Sequence, residues 1–371
     1  MPQKRSTTRN KLPIQQRAWA RFNSLWSKNW WNKLLITLTL VVFVLVGTMY
    51  GIAQWYIYSQ RNVPTQIGTT FIPQYASYLG VDPKETLQAI LTDLKPTHLR
   101  LVSYWDAIEK TPGKYDFSQL DWQLAMAQEA QVEVSLAIGL RQPRWPECHM
   151  PKWQLNQPKD VWYPELKKFM AATIERYRDH PTLESYQLEN EFFLSVFGEC
   201  PDFSRDRLID EYNLVKSLDN NTPVIISRSN NALGFPINEP RPDEFGVSVY
   251  KRVWDKTVTK RYIEYPFPAW FYGFLAGGGK LLTGKDLIIH ELQAEAWTPI
   301  GYNIKTAPNE ELYKSMNPER LVNRFGYGQA TGIKRIDLWG AEWWYAMKVT
   351  RDQPGLWNAA IQEFEKSRAQ N

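Results

Sequence analysis

Eight short β-rich runs, separated by helical stretches, are the feature that most limits the folds open to this chain of 371 residues. Between the runs, apolar residues recur at spacings of three and four, most clearly over 83–95, 118–131 and 164–180, as they do in helices. Strands alternating with helices indicate parallel strands joined by crossover helices. The runs are IGTTFIPQY (67–75), THLRLVSY (97–104), VEVSLAI (132–138), SYQLENE (185–191), PVIIS (223–227), FGVSVY (245–250), DLIIHE (286–291) and KRIDLWG (334–340).

Eight β/α units in about 300 residues predict a (β/α)8 barrel, and we assign it to residues 67–371. The alternative is an open, doubly wound sheet. If such a sheet bound a dinucleotide, its first strand would lead into a glycine-rich phosphate turn. No GxGxxG follows the first run, and AGGGK at 276–280 lacks the phosphate-loop spacing. The pattern therefore favours the closed barrel.

An uncharged stretch of 20 residues, 34–53, precedes the barrel. A helix of that length crosses a hydrocarbon layer of about 30 Å. Aromatic residues flank the stretch, as at a membrane interface: Trp30, Trp31, Trp55, Tyr56 and Tyr58. A cleaved signal peptide is the alternative, but the run is too long and no small-residue cleavage site stands out after it. The sequence predicts a transmembrane helix over 34–58 with the lipid bilayer as its partner.

Charge is distributed unevenly along the chain. Residues 1–33 hold eight basic residues and no acidic one, whereas the remainder holds 36 basic and 39 acidic residues. Basic flanks stay on the cytoplasmic side, so we expect a cytoplasmic tail over 1–33, a linker over 59–66 and an extracytoplasmic domain. The weakly acidic remainder does not match a nucleic-acid partner.

The chain has two cysteines, Cys148 and Cys200, in the loops that follow the third and fourth strand runs. Adjacent strands bring those loops together, and outside the cytoplasm the thiols are expected to form a disulfide. It would close a loop of about 50 residues, worth ~3–4 kcal/mol in the chain-entropy account. Two buried thiols are the alternative. Two cysteines and four scattered histidines do not make a metal site, so we expect no metal and no cofactor.

Two glutamates stand at strand ends. Glu191 closes the fourth run and Glu291 the seventh, and the carboxyl ends of barrel strands share one face. A pair of carboxylates at one mouth is what hydrolysis of a glycosidic bond uses. Glu295, four residues after Glu291, is a rival nucleophile, but it already lies in the loop beyond the strand.

The stretches ENEFF (189–193) and IIHEL (288–292) resemble the fourth-strand and seventh-strand motifs of the clan A glycoside hydrolases, the retaining barrel enzymes that include cellulase-like and β-galactosidase families. The resemblance implies that Glu191 is the general acid/base and Glu291 the nucleophile. It also implies that Asn190 hydrogen-bonds the 2-hydroxyl of the sugar.

Further segments are similar to the same enzymes over roughly residues 67–345. The second-strand segment LRLVSYWDAIEKTPGKYDFSQLDW (99–122) implies that Arg100 lies beside the nucleophile and keeps it ionised. Tyr250, after the sixth run, would hydrogen-bond the nucleophile, and Trp339, on the eighth, would form an aromatic floor under the sugar. The histidine or second asparagine common near the third or fourth strand is not obvious here, where LRQPRWPECH (140–149) stands instead.

Other side chains near strand ends have two interpretations. Trp105 and Trp343, like Trp145 and Trp344, are candidates for stacking on a sugar or for packing in loops. Glu189 is expected to be the buried partner of a basic residue such as Arg100. The aromatic segment 254–285 is interpreted as a helix on the barrel, with a lid or membrane contact as alternatives.

The sequence thus predicts a membrane-anchored retaining glycosidase that cleaves O-glycosidic, β-type bonds in an oligo- or polysaccharide. Two alternatives stay open: an inactive barrel that binds cell-surface polysaccharide, and a transglycosylase that uses the same site. Barrel loops decide the sugar, and loop sequences do not reveal it.

Overall fold

A computed structural model describes residues 13–230, 234 and 238–369, so the first twelve residues of the predicted basic tail lie outside the described part. The chain forms two compact units, residues 1–51 and residues 52–371.

The first unit contains the helix α1 (Ile14–Lys28) and the beginning of the helix α2 (Trp30–Ser59). Within the described residues, α2 is the one helix long and apolar enough to cross a membrane, although a signal sequence near an amino terminus has the same properties. The uncharged stretch predicted from the sequence lies inside it. Two of its threonines bond back into the helix: Thr39 Oγ1 donates to the carbonyl of Leu35 and Thr48 Oγ1 to the carbonyl of Val44, each at 2.8 Å. Such bonds satisfy these hydroxyls without water.

The second unit is a closed parallel barrel, which confirms the predicted fold class. Each predicted run supplies one strand, and the order around the barrel is β1-β10-β9-β6-β5-β4-β3-β2. The break in numbering arises because a small antiparallel hairpin, β7 and β8, is inserted after β6. The strands are β1 (Gln66–Thr70), β2 (His98–Val102), β3 (Glu133–Ile138), β4 (Leu183–Leu188), β5 (Val224–Arg228), β6 (Glu244–Val249), β7 (Arg252–Trp254), β8 (Tyr262–Glu264), β9 (Leu287–Gln293) and β10 (Arg335–Trp339).

Helices connect the strands and cover the outside of the barrel. They are α3 (Pro73–Leu79), α4 (Pro83–Ala89, continued by a π-helical turn over Ile90–Leu94), α5 (Trp105–Ile108), α6 (Ser118–Glu129), α7 (Lys159–Tyr177), α8 (Arg205–Leu218), α9 (Ala269–Thr283), α10 (Asn309–Tyr313), α11 (Pro318–Gln329), α12 (Ala341–Arg351) and α13 (Gly355–Ala369).

Alternation along the strands separates an apolar core from a polar interior. On β2, Leu99 and Leu101 belong to the hydrophobic core, while Arg100 between them bonds to Gln187 of β4. Successive side chains of a strand point to opposite faces. On one strand, the polar side chain therefore points into the barrel, whereas the leucines on either side of it pack in the apolar core outside the barrel.

The segment 254–285 differs in part from its predicted helix. Residues 269–283 do form a helix, α9, but the preceding residues form the hairpin of β7 and β8. The prediction was wrong for that first part, because Arg252 and Gln293 hold the hairpin beside β9: Oε1 of the Gln293 side chain accepts from the Arg252 backbone N–H at 2.9 Å.

The end of α2 packs on the barrel through glycines of α9. Ala53 and Tyr56 are buried. A Cβ at Gly277 would lie 2.9 Å from the Cβ of Tyr56 and 3.0 Å from Cγ2 of Ile52, closer than Cβ atoms normally come. Glycine is therefore what lets the two helices approach.

This contact gives a matched test within one helix. Gly277→Ala should lower the stability of the protein by about 1–3 kcal/mol, because the added methyl overpacks the contact with α2. Gly279→Ala on the same helix should gain about 0.5–1 kcal/mol from helix propensity, because no heavy atom lies within 4 Å of its Cβ position. Thermal unfolding of the full chain in detergent measures both. Equal shifts for the two variants would contradict the packing described.

Candidate active site

Arg100 connects three strands inside the barrel. Its fully buried guanidinium donates to Gln187 Oε1 at 2.6 Å, to Asn190 Oδ1 at 2.9 Å and to Glu291 Oε1 at 2.9 Å. It also donates to the backbone carbonyl of His290 at 3.0 Å. A buried charge needs such partners. Arg100 therefore lies in direct contact with Glu291, as predicted.

Glu291 lies near the end of β9 with both carboxylate oxygens occupied. Arg100 donates to Oε1, and the hydroxyl of Tyr250, which follows β6, donates to Oε2 at 2.7 Å. The side chain is almost completely buried yet lines the main cavity. Two donors from different strands thus fix the orientation of this carboxylate.

Glu191 lies three residues beyond β4, in the left-handed region with φ +43°. Its backbone N–H donates to Ser227 Oγ at 3.0 Å, which fixes the turn. The side chain is buried, and among the described residues its Oε1 has no hydrogen-bond partner. Burial, followed by the negative charges of Glu291 and Glu147, raises its pKa to about 8. Glu191 therefore differs sharply from Glu291 in its surroundings.

Both glutamates face one cavity of about 610 Å³ at the carboxyl ends of the strands. Asn190, Tyr250 and Trp339 line it too, so the barrel topology brings together residues as far apart in the chain as 190 and 339, as expected for a barrel mouth. Aromatic residues absent from the sequence-based candidates complete the walls: Trp254, Tyr265, Trp297 and Tyr302.

A third carboxyl group, that of Glu147, was missed by sequence reasoning. It lines the cavity, accepts from Asn190 Nδ2 at 3.1 Å and lies 3.6 Å from Arg141. Burial, opposed by Arg141 and aided by the charge of Glu291, raises its pKa to about 7. Its neighbour Cys148 was the available signal, because a bond from Cys148 to the loop after β4 brings Glu147 beside Asn190.

That bond is present: Cys148 and Cys200 form a disulfide, which confirms the predicted pairing. It joins the loop after β3 to the loop after β4. The Arg141 guanidinium strengthens the same junction, since its Nε donates to the carbonyl of Asn190 at 2.6 Å. The segments that carry Glu147 and Glu191 are therefore fixed to each other.

Glu295, the rival nucleophile, is tied up in an ion pair. Arg144 donates to Oε1 at 3.2 Å and to Oε2 at 3.0 Å. The same guanidinium lies 3.2 Å from the ring centre of Tyr75 and 4.5 Å from that of Trp339. Glu295 lines the cavity, but both of its oxygens are committed to Arg144.

The predicted stacking roles of Trp105 and Trp343 need correction. Both side chains are fully buried and neither lines the main cavity. Trp105 donates to Glu109 at 2.6 Å and packs on Phe169. The reason is local: α5 begins at Trp105 and α12 begins at 341, so these residues turn into helices and face the core. Of the other two aromatic candidates, Trp145 lines the cavity and Trp344 is buried.

Glu189 is a buried ion-pair partner, but of Arg207 and not of Arg100. Arg207, on α8, donates to both of its oxygens at 3.1 Å. The φ of Glu189 is +54°, which interrupts the strand geometry. Its side chain also accepts from the backbone N–H of Leu140 at 2.6 Å. It stabilises the loop after β3 and does not line the cavity.

No group of three or more potential metal-ligating side chains occurs within the described residues. The side chains of the site offer one oriented carboxylate beside a guanidinium, one carboxyl group whose pKa is raised to about 8, and aromatic walls.

Comparison with known proteins finds likeness at the level of structure. No protein-family model and no curated protein matches the sequence. Among solved structures, a β-galactosidase from Halorubrum lacusprofundi matches with a TM-score of 0.56 and 12% identity, over 82% of this chain and 58% of that one. The chain thus spans less than two thirds of that enzyme's length.

Two glycoside hydrolases of the GH5_18 group match as well. The enzyme from Streptomyces cattleya, in complex with GlcNAc, has a TM-score of 0.53 at 12% identity, over 83% of this chain and 81% of that one. The enzyme from Bifidobacterium longum has a TM-score of 0.53 at 8% identity, over 74% and 69%. These structural neighbours are glycoside hydrolases built on the same barrel, and at such identities the likeness is one of fold.

The raised pKa of Glu191 makes stability depend on pH. The folded state holds the proton up to about pH 8, whereas an unfolded glutamate loses it near 4.5. The unfolded state therefore binds fewer protons between these values, and stability falls as the pH rises through that window. Glu191→Gln should reduce this decline in denaturant unfolding measured across the window. Glu129→Gln, at an exposed position of α6, is the control and should leave it unchanged. An undiminished decline in the Glu191 variant would contradict the assignment.

Proposed function

We propose that the protein is a membrane-anchored retaining glycosidase that cleaves β-linked sugars, with Glu291 as nucleophile and Glu191 as general acid/base. The observation that carries the proposal is the contrast between two glutamates in one cavity. Glu291 is oriented by Arg100 and Tyr250, while burial raises the pKa of Glu191 to about 8. Two carboxyl groups in unlike environments are the arrangement that divides acid and nucleophile roles.

In the first step an oxygen of Glu291 attacks the anomeric carbon, and the bond from that carbon to the leaving oxygen breaks. Glu191 gives its proton to the leaving oxygen, so the departing sugar is a neutral alcohol. Arg100 and Tyr250 hold the carboxylate for attack, and Asn190 presents its amide to the sugar from the adjacent position. Trp339 supplies an apolar wall of the kind that packs against a sugar ring.

In the second step water replaces the enzyme on the anomeric carbon. Once Glu291 is esterified its charge is gone, and that charge is one cause of the raised pKa of Glu191. The pKa of Glu191 then falls, which suits its second role as the base that takes a proton from water. Attack from opposite faces in the two steps returns the original configuration.

The amino-terminal helix and the disulfide concern where the proposed enzyme lies in the cell. The helix α2 holds the chain in a bilayer, its basic flank remains in the cytoplasm, and the barrel lies outside. The disulfide between Cys148 and Cys200 supports this, because disulfides persist in oxidising compartments and are rare in the cytosol.

Trapping the covalent intermediate tests the nucleophile directly. In Glu191→Gln, an aryl β-glycoside with a good leaving group still reacts in the first step, because that leaving group needs no proton. The second step lacks its base, so the glycosyl-enzyme should accumulate. Peptide mass mapping of the full chain should locate the sugar on Glu291. A sugar on Glu295 would overturn the assignment, and Glu291→Gln should give no adduct at all.

A wider panel of aryl β-glycosides and β-glucans identifies the sugar and distinguishes the alternatives. Turnover lost in both Glu191→Gln and Glu291→Gln supports the enzyme, with losses of at least about 10²-fold. Products lengthened by an added acceptor sugar would indicate transglycosylation. Glycan binding with no turnover of any substrate in the panel would contradict the proposal and support the inactive barrel that binds polysaccharide.

The pH dependence of turnover tests the role of Glu191. As general acid it must be protonated, so kcat/KM should fall as the pH rises above about 8, the value to which burial raises the pKa of Glu191. The charge of Glu147 contributes to that raised pKa. Glu147→Gln removes the charge but keeps an oxygen for Asn190, so the alkaline limb should move to lower pH. A limb that stays in place would show that Glu147 does not act on Glu191.

A further inference from the structure

Glu147 is a buried carboxyl group that takes part in neither step of the proposed reaction. Its φ is +73°, in the left-handed region that favours glycine. Two backbone hydrogen bonds hold it there: its N–H donates to the carbonyl of Arg144 at 2.8 Å, and its carbonyl accepts from the N–H of Gln142 at 2.7 Å. Such strain concentrates at functional sites, and here it places a carboxyl group against the cavity.

The two carboxyl oxygens of Glu147 have different surroundings. Oε2 accepts from Asn190 Nδ2 at 3.1 Å and lies 3.6 Å from Arg141 Nη2. Arg141 is fully buried, does not line the cavity, and donates to the backbone carbonyls of Asn190 and Phe197 at 2.6 and 2.8 Å. Within the described part of the chain, Oε1 of Glu147 accepts no hydrogen bond. This oxygen is therefore left for a group in the cavity.

Most hydrogen-bond donors near Glu147 already have an acceptor. The hydroxyl of Tyr250 donates to Glu291 Oε2 at 2.7 Å, and one N–H of Asn190 donates to Glu147 itself. Oε1 of Glu191 is buried and has no partner among the described residues, and in the proposed reaction this carboxyl group serves the leaving oxygen. A substrate group beside Glu147 thus meets more acceptors than donors.

The proposed reaction indicates which part of the sugar lies there. In that reaction Asn190 hydrogen-bonds the substituent on carbon 2 of the sugar whose bond is cleaved. Glu147 accepts a hydrogen bond from the amide nitrogen of the same Asn190. The Glu147 carboxyl group is therefore adjacent to the substituent on carbon 2.

An ammonium group fits these surroundings better than a hydroxyl or an acetamido group. It has three N–H donors and no acceptor, whereas a hydroxyl and an acetamido carbonyl bring acceptors that need donors of their own. Burial, opposed by Arg141 and aided by the charge of Glu291, raises the pKa of Glu147 to about 7. A further cation beside this carboxyl group would stabilise its ionised form, and hydrogen bonds between two ionised groups are the stronger kind.

We infer that the sugar at the point of cleavage carries a free amino group on carbon 2, which Glu147 binds as an ammonium ion. The inference rests on the proposed glycosidase function and leaves its two steps unchanged. The substrate class is a β-linked glycan that contains 2-amino-2-deoxy sugars without N-acetyl groups. Glu147 is then a residue that determines specificity.

Three nitrophenyl β-glycosides that differ only at carbon 2 test this on the full chain in detergent. They carry an amino, a hydroxyl or an acetamido group, in both the gluco and the galacto series. Glu147→Gln keeps an oxygen for Asn190 but removes the charge. The ratio of kcat/KM for the amino substrate to that for the hydroxyl substrate should fall about 10- to 100-fold in this variant. The ratio is the informative quantity, because any effect of the substitution on Glu191 or on folding acts on both substrates.

Asp255→Asn is the matched control. Asp255 lines the same cavity after β7, and its two oxygens accept from the hydroxyls of Thr257 and Thr259. Its substitution removes one negative charge from the cavity and should leave the ratio unchanged. A fall in the ratio equal to that of the Glu147 variant would overturn the assignment to Glu147.

The outcomes separate this inference from the proposed function. A ratio that falls in the Glu147 variant alone supports the inference. Turnover with an unchanged ratio, or with the acetamido substrate preferred by the unsubstituted protein, overturns the inference and leaves the glycosidase intact. Turnover of none of the substrates by the unsubstituted protein contradicts the glycosidase function and, with it, this inference.

Discussion

The buried guanidinium of Arg100 is the interaction on which the site depends. It is completely enclosed, and it satisfies its charge by bonding to side chains from β4 and β9 and to Asn190 just beyond β4. Because its donors point in fixed directions within a plane, it specifies where those partners lie relative to one another. The position of Glu291 is thus a consequence of charge burial on β2, three strands away around the barrel.

Around this centre the site contains more carboxyl groups than positive charges. Glu147, Glu191 and Glu291 share one cavity. Burial and the negative charge of Glu291 raise the pKa of Glu191 to about 8, and burial, opposed by Arg141 and aided by the same charge, raises the pKa of Glu147 to about 7. Such a cluster persists because the surrounding loops hold it, through the disulfide and the bonds of Arg141. Burial of these carboxyl groups costs stability, and the same burial raises the pKa of Glu147 and of Glu191.

The sequence predicted the barrel and the residues at its strand ends because both follow from periodicity. Buried parallel strands are short apolar runs, and their ends meet at one face whatever the loops do. Glu191, Glu291, Arg100 and Tyr250 converge for that reason. Glu147 escaped notice because its position depends on loop backbone with φ +73° and on a cross-link, neither of which leaves a periodic pattern. Trp105 and Trp343 were misassigned because helices begin there and turn them inward.

The packing of the last turns of α2, residues 52–59, also limits the freedom of the chain that enters β1. Six residues, 60–65, separate α2 from β1, a distance of at most about 20 Å when extended, and the burial of Ala53 and Tyr56 removes the freedom of the preceding turn. The entry into β1 is therefore held at both ends, by the packed turn of α2 and by the pairing of β1 with β2 and β10. The first strand cannot separate from the barrel without also unpacking that turn of the helix.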